Sequence, residues 1–180
     1  MTERIKIKRK IVLVGNPMVG KTSLIRKFVT DQFSDDYIVT VGFKVTSKKL
    51  IFPDIDKDNE YELTLMIWDI MGQKGYKLTP ITAFQGAKGA IIVCDRTRPE
   101  TLIDLENMVN WLFNITSEIP VIIVGNKSDL TNQISVGEKA IKDIATAFHA
   151  PYFTTSAKTG ENVQMAFFVI GRMILKEQGI

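Results

Sequence analysis

At 180 residues, 45% of them hydrophobic and 24% charged, the chain has ordinary globular make-up and enough length for a full hydrophobic core. No apolar run reaches membrane-spanning length, no signal peptide is read, and the single cysteine, Cys94, cannot form an internal disulfide, so a reducing compartment is expected. Arg4, Lys6, Lys8, Arg9 and Lys10, set against Glu3, more than account for the net charge of +3, which argues against a nucleic-acid-binding surface on the rest of the chain. The basic stretch reads as a solvated strand start, in preference to a contact with anionic lipid.

In chain order, Lys10–Val14 reads as a strand and Lys21–Phe28 as the start of a helix. Phe43–Phe52 and Tyr61–Trp68 read as strands around the polar turn PDIDKDN, with Leu63, Leu65 and Ile67 on one face. Ala90–Cys94 and Pro120–Val124 are continuous apolar runs, the mark of strands buried on both faces of a parallel sheet. Glu100–Ile115 and Gly137–Phe148 have helical patterns, PYFTTSA reads as a last strand, and Val163, Ala166, Phe167, Ile170 and Ile174 form one stripe of a C-terminal helix. This alternation predicts a single α/β domain over residues 1–180, with a mostly parallel sheet and helices on both faces.

Ligands bind such sheets at the carboxyl ends of the strands. The loops that open there are GNPMVGKT, DIMGQ, NKSD and SAK. The first fits the phosphate-binding pattern G-x-x-x-x-G-K-[ST] between a strand and a helix. Its glycines, Gly15 and Gly20, permit close backbone approach to phosphate, and the helix N-terminus favours an anion. Lys21 is expected on the β- and γ-phosphates, and the Thr22 hydroxyl on Mg²⁺.

Together the four loops resemble those of the Ras superfamily of small GTPases, and the resemblance covers essentially the whole chain. It implies a P-loop G domain with a six-stranded sheet, one edge strand antiparallel. It also implies a switch that binds GTP or GDP with Mg²⁺ and hydrolyses GTP slowly. Pro17, Met18, Val19 and Ser23 would line the phosphates with Gly15, Gly20, Lys21 and Thr22. Asp69 would hold Mg²⁺ through water, Gly72 would bond the γ-phosphate and Gln73 would orient the attacking water. Phe33, Tyr37 and Thr40 fall where the family has its guanine-edge aromatic, its phosphate-covering tyrosine and its metal-ligating switch threonine. Thr22, Thr40 and Asp69 are thus the metal set, and Gln73, Lys21, Thr40 and Gly72 the catalytic set. Asn126, Lys127 and Asp129 resemble the guanine-specificity motif. Asp129 would accept from the guanine N1–H and exocyclic amine, and adenine offers no such donor pair. Ser156, Ala157 and Lys158 resemble the last guanine loop, with the Ala157 N–H meeting the base carbonyl.

FQGAKGAIIVCD, NKSDL and TTSAKTGENV look Rab-like, and TVGFKVT is closer to Arf-like proteins. The resemblance implies effectors, exchange factors and activating proteins as partners of a cytoplasmic monomer, with peripheral membrane association as a further expectation. No nucleic acid is expected. Thr2 replaces the glycine of a myristoylation signal, and the final residues EQGI contain no cysteine for prenylation. Ile70, Met71 and Lys74 depart from the family pattern around the second switch. Pro17 removes one N–H and places a rigid ring where an activator's arginine would enter. A scaffold that binds GTP without hydrolysing it and a small-molecule kinase are the competing readings; single turnover of GTP and preference for GTP over ATP separate them. Asp54, Asp56 and Asp58 open like a calcium loop, but Asn59 and Leu65 stand at its glycine and glutamate positions, so a solvated hairpin is expected. His149, Trp68 and Trp111 read as structural.

Overall fold

The computed structural model describes residues 4–34, 42–54, 59–70 and 81–180. Six strands form one sheet: β1 (Arg4–Val14), β2 (Phe43–Asp54), β3 (Asn59–Ile70), β4 (Ala87–Asp95), β5 (Val121–Asn126) and β6 (Tyr152–Thr154), in the order β2-β3-β1-β4-β5-β6. Only the β2–β3 pair is antiparallel; every other pairing is parallel. The expected α/β architecture with one antiparallel edge strand is therefore present. From β1 the chain winds to both sides, to β3 and to β4, which opens a crevice at the carboxyl end of β1. GNPMVGKT begins there.

The sheet alternation divides the core. Ile11, Leu13, Leu63, Leu65 and Ile67 face α1 (Lys21–Thr30) and α5 (Val163–Lys176), where Phe28 and Phe167 stack with ring centroids 4.0 Å apart. Val12, Val14, Ile92 and Cys94 face the other way, against α2 (Glu100–Ile103), α3 (Leu105–Thr116) and α4 (Glu138–Ala147). Burial pushes the Cys94 thiol up to about 12, so it is an inert packing group. Trp68 stacks on Phe43, and Trp111 meets Phe84 edge-on, the structural roles expected of both. His149 is exposed at φ 51°, in the turn that ends α4. No helix among the described residues is long and apolar enough to cross a membrane.

Three boundaries differ from the sequence reading. β1 starts at Arg4, not Lys10, because Ile5 and Ile7 pack against the α1–α5 core while Arg4, Lys6 and Lys8 point to water. Its first six residues pair in unbroken register with β3, and Arg4 bonds Glu60 at 2.8 Å. The helix expected over Glu100–Ile115 is interrupted at Asp104, whose carboxylate accepts a bond from the Asn16 side chain. The last strand holds three residues, because Thr155 and Ser156 already turn toward the ligand edge.

β5 must run close under α4. A Cβ on Gly125 would lie 2.3 Å from Ile141 Cδ1 and 3.1 Å from Arg96 Cγ. Gly125→Ala is expected to cost about 1–3 kcal/mol as both side chains shift. Denaturant unfolding checks this; an unchanged midpoint would show that the side chains move freely.

Candidate functional site

The phosphate loop is held from below. A Cβ on Gly15 would lie 2.3 Å from the Val93 carbonyl, so only glycine lets the loop cross β4 this closely. Met18 at φ 64° and Gly20 at φ 99° are left-handed, the kind of backbone turn found in anion-binding concavities. For Met18, a side chain in this region carries strain on the order of 1–3 kcal/mol, of the kind retained at binding sites. No side chain caps the N-terminus of α1 and no acidic residue occupies its first turn. The positive end of the helix dipole is thus not offset by an acidic side chain of its own first turn.

Lys21 is buried at 6% exposure, and its ammonium bonds the carbonyls of Gly15 at 2.8 Å and Asn16 at 3.0 Å. Desolvation pushes its pKa down to about 8; Asp69 opposes that shift and Arg98 adds to it. Next along the helix, the Thr22 hydroxyl donates to Asp69 Oδ2 at 2.5 Å, and Ser23 is half-buried beside it. Hydroxyl and carboxylate are hard oxygen donors. Among the described residues no three of His, Cys, Asp and Glu converge on one point. Two protein oxygens beside a phosphate cradle fit Mg²⁺, which is held by few protein ligands together with phosphates and water.

The NKSD and SAK loops meet the GNPMVGKT loop through one residue. Asn126, 1% exposed at the end of β5, donates from Nδ2 to the Val19 carbonyl at 2.9 Å. Its Oδ1 accepts from Thr155 Oγ1 at 3.1 Å and from the Ala157 N–H at 3.2 Å. The expected brace therefore spans three loops, and the Ala157 N–H points at Asn126 in this structure. A Cβ on Gly20 would lie 2.3 Å from Asn126 Nδ2, which fixes glycine there as well. Asp129 Oδ1 accepts from Ser156 Oγ at 2.6 Å, and that hydroxyl in turn accepts from the Thr159 N–H at 3.0 Å.

The sequence model of the Ras family matches residues 10–176. The chain belongs to the Ras family. Rab-27B of Homo sapiens is 29% identical over 173 residues, covering 93% of this chain and 79% of that protein. Rab-27B of Bos taurus is 30% identical with the same coverage. This Rab-like small GTPase binds GTP and GDP with Mg²⁺, hydrolyses GTP, and is a molecular switch in trafficking or signalling.

Within this Ras-family site, Gly15, Pro17, Met18, Val19, Gly20, Lys21, Thr22, Ser23, Asp69, Asn126, Lys127, Asp129, Ser156 and Ala157 gather at one sheet edge. Lys158 follows on the same loop and is exposed. Phe33 is half-buried and packs against the α1–α5 core. Tyr37, Thr40, Gly72 and Gln73 lie outside the described residues, as do Asp56, Asp58, Met71 and Lys74.

One polar cluster was not singled out in the sequence. Asp95, fully buried at the end of β4, has Oδ1 fixed by the Thr97 N–H at 2.9 Å and the Thr97 hydroxyl at 2.7 Å. Its Oδ2 takes Lys127 Nζ at 2.7 Å and Arg98 Nε at 3.1 Å. Burial alone would raise the Asp95 pKa, but the bonds from Lys127 and Thr97 outweigh it and hold the carboxyl below its ordinary range. Arg98 also donates from Nη2 to the Pro17 carbonyl at 2.7 Å. The available signal was position: Asp95 ends an apolar strand at the ligand edge, as Asp69 does.

Proposed function

We propose that residues 1–180 form one G domain in which GNPMVGKT holds the phosphates, Thr22 and Asp69 serve Mg²⁺, Asp129 reads guanine, and Gln73 and Thr40 act on the γ-phosphate side. The observation that carries this reading is Asn126, a single buried amide bonded to the phosphate loop and to the base loop. A fold with no nucleotide to hold has no need to join those loops at one side chain. Lys127 would lay its stem along the base, and Ser156, Ala157 and Lys158 would close over it.

Partners on this reading are effectors, exchange factors and activating proteins that contact the switch loops of a monomer. Phe43, 49% exposed, stacks on Trp68 at 4.7 Å, and Lys10 Nζ sits 3.7 Å over the Trp68 ring. This aromatic patch on the β2–β3 pair supports a protein partner. The protein would act in the cytoplasm, with peripheral contact at membranes and none with nucleic acid.

Chromatography of the nucleotide carried by the purified protein tests the assignment. Guanine nucleotide at near one equivalent, released by chelation of Mg²⁺, is the expected result; adenine nucleotide would sink it. Gln73→Leu should slow single-turnover GTP hydrolysis at least about tenfold while GTP affinity changes little, because the side chain acts on water in the transition state. Turnover at the parental rate would mean that another group positions the water.

A further inference from the structure

We propose that Arg98 is a positioning residue that couples the phosphate loop to the base loop, so that each half of the nucleotide site strengthens the other's hold. The inference rests on the site assigned above. Arg98 forks between two hydrogen-bond partners, with Glu100 Oε1 a looser ion-pair neighbour 3.9 Å from Nη1: Nη2 reaches the Pro17 carbonyl at 2.7 Å and Nε reaches Asp95 Oδ2 at 3.1 Å. The same carboxylate oxygen takes Lys127 Nζ at 2.7 Å. One buried oxygen therefore joins a cation tied to GNPMVGKT and a cation within NKSD.

The link is built to be stiff. Asp95 is 0% exposed, and its other oxygen is held twice by Thr97. The Asp95 N–H accepts no freedom either, since it donates to Thr101 Oγ1 at 2.9 Å. Lys127 sits at φ 68°, a constrained left-handed backbone, and its ammonium ties that loop to Asp95. At the other end, the ring of Pro17 fixes φ, one of the two torsions beside the carbonyl that Arg98 holds. Asn16 adds a second tether on this side, its amide donating to Asp104 Oδ2 at 2.8 Å. Arginine alone has the planar fork that can span a carboxylate and a carbonyl at once.

Coupling makes a specific prediction about nucleotide release, measured by displacing fluorescent mant-GDP and mant-IDP with excess GTP at saturating Mg²⁺. The inosine base lacks the exocyclic amine that Asp129 would bind. In the parent, mant-IDP should leave faster than mant-GDP, because loss of a base contact also loosens the phosphate loop through Asp95. Arg98→Ala should release mant-GDP about tenfold faster, the low end for a charged hydrogen bond partly open to water. In that variant the ratio of mant-IDP to mant-GDP release should also fall at least about twofold below the parental ratio, since the two halves then support each other only through Asn126. Arg98→Lys, which keeps a cation beside Asp95 without the fork, should behave as Arg98→Ala and serves as the test should the alanine variant fail to fold. A parental release rate in both variants, an unchanged base ratio, or restoration by lysine would each overturn the coupling. A parent that does not retain mant-GDP would overturn the site assignment itself.

Discussion

Asp129→Asn is expected to lower GTP affinity by about 10²- to 10⁴-fold and to bring in xanthine nucleotides. The size follows from the two charged hydrogen bonds that we propose Asp129 makes to the guanine edge, each worth roughly 1.5–3 kcal/mol. The direction of the switch follows from the neighbour of Asp129. Ser156 Oγ donates to one carboxylate oxygen at 2.6 Å, and that hydroxyl is itself fixed by the Thr159 N–H. An asparagine that keeps its carbonyl on Ser156 must turn its NH₂ toward the base. Guanine presents donors there and is repelled, whereas xanthine presents a carbonyl in place of the amine and is matched. Competition binding with GTP and XTP measures both arms. GTP affinity within tenfold of the parent would show that Asp129 does not touch the base.

The parts of this protein legible in its sequence are those in which chemistry and spacing lie close together along the chain. GNPMVGKT needs its glycines, lysine and threonine within eight residues, because one turn and one helix start build the cradle. The continuous apolar runs of β4 and β5 announce a sheet covered on both faces, and the structure places them side by side. Arg98 was not legible, because its partner Pro17 is 81 residues away and the contact depends on how the turn after β4 lies across the loop. The bonds between Asn16 and Asp104 and between Lys127 and Asp95 share that character. The start of β1 was obscured for another reason. Basic residues on its outward face hid the alternation of Ile5 and Ile7, and only the long β3 partner makes the extension visible.

From the sequence Pro17 is a rigid ring where an activator's arginine would enter. The structure adds an arginine of the chain's own at the Pro17 carbonyl. We propose that crowding from the ring and occupation of the carbonyl act in the same direction, toward weak stimulation by an activator that inserts arginine along this loop.

Lys21→Met should cost about 10²- to 10³-fold in GTP and GDP affinity, because it removes the buried cation that we propose meets the phosphates. Its pH signature separates that role from simple packing. In the free protein, desolvation lowers the Lys21 pKa from 10.5 to about 8, so the charged form is disfavoured by folding. Between pH 8 and 10.5 the unfolded chain holds the proton that the folded chain has released. Stability of the nucleotide-free protein should therefore rise with pH across this window, by roughly 3 kcal/mol in all, and be least below pH 8. Binding has the opposite sign. Phosphate oxygens draw the proton back onto Lys21, so above pH 8 nucleotide binding takes up a proton, and affinity should fall up to about tenfold from pH 8 to pH 9. Calorimetry in buffers of different ionisation enthalpy reads the proton directly, and denaturant unfolding reads the stability. Lys21→Met should lose both slopes while still folding, because the methionine chain fills the same buried volume. A variant that keeps the parental proton uptake on binding would assign that proton to another group and leave Lys21 without its phosphate-facing role.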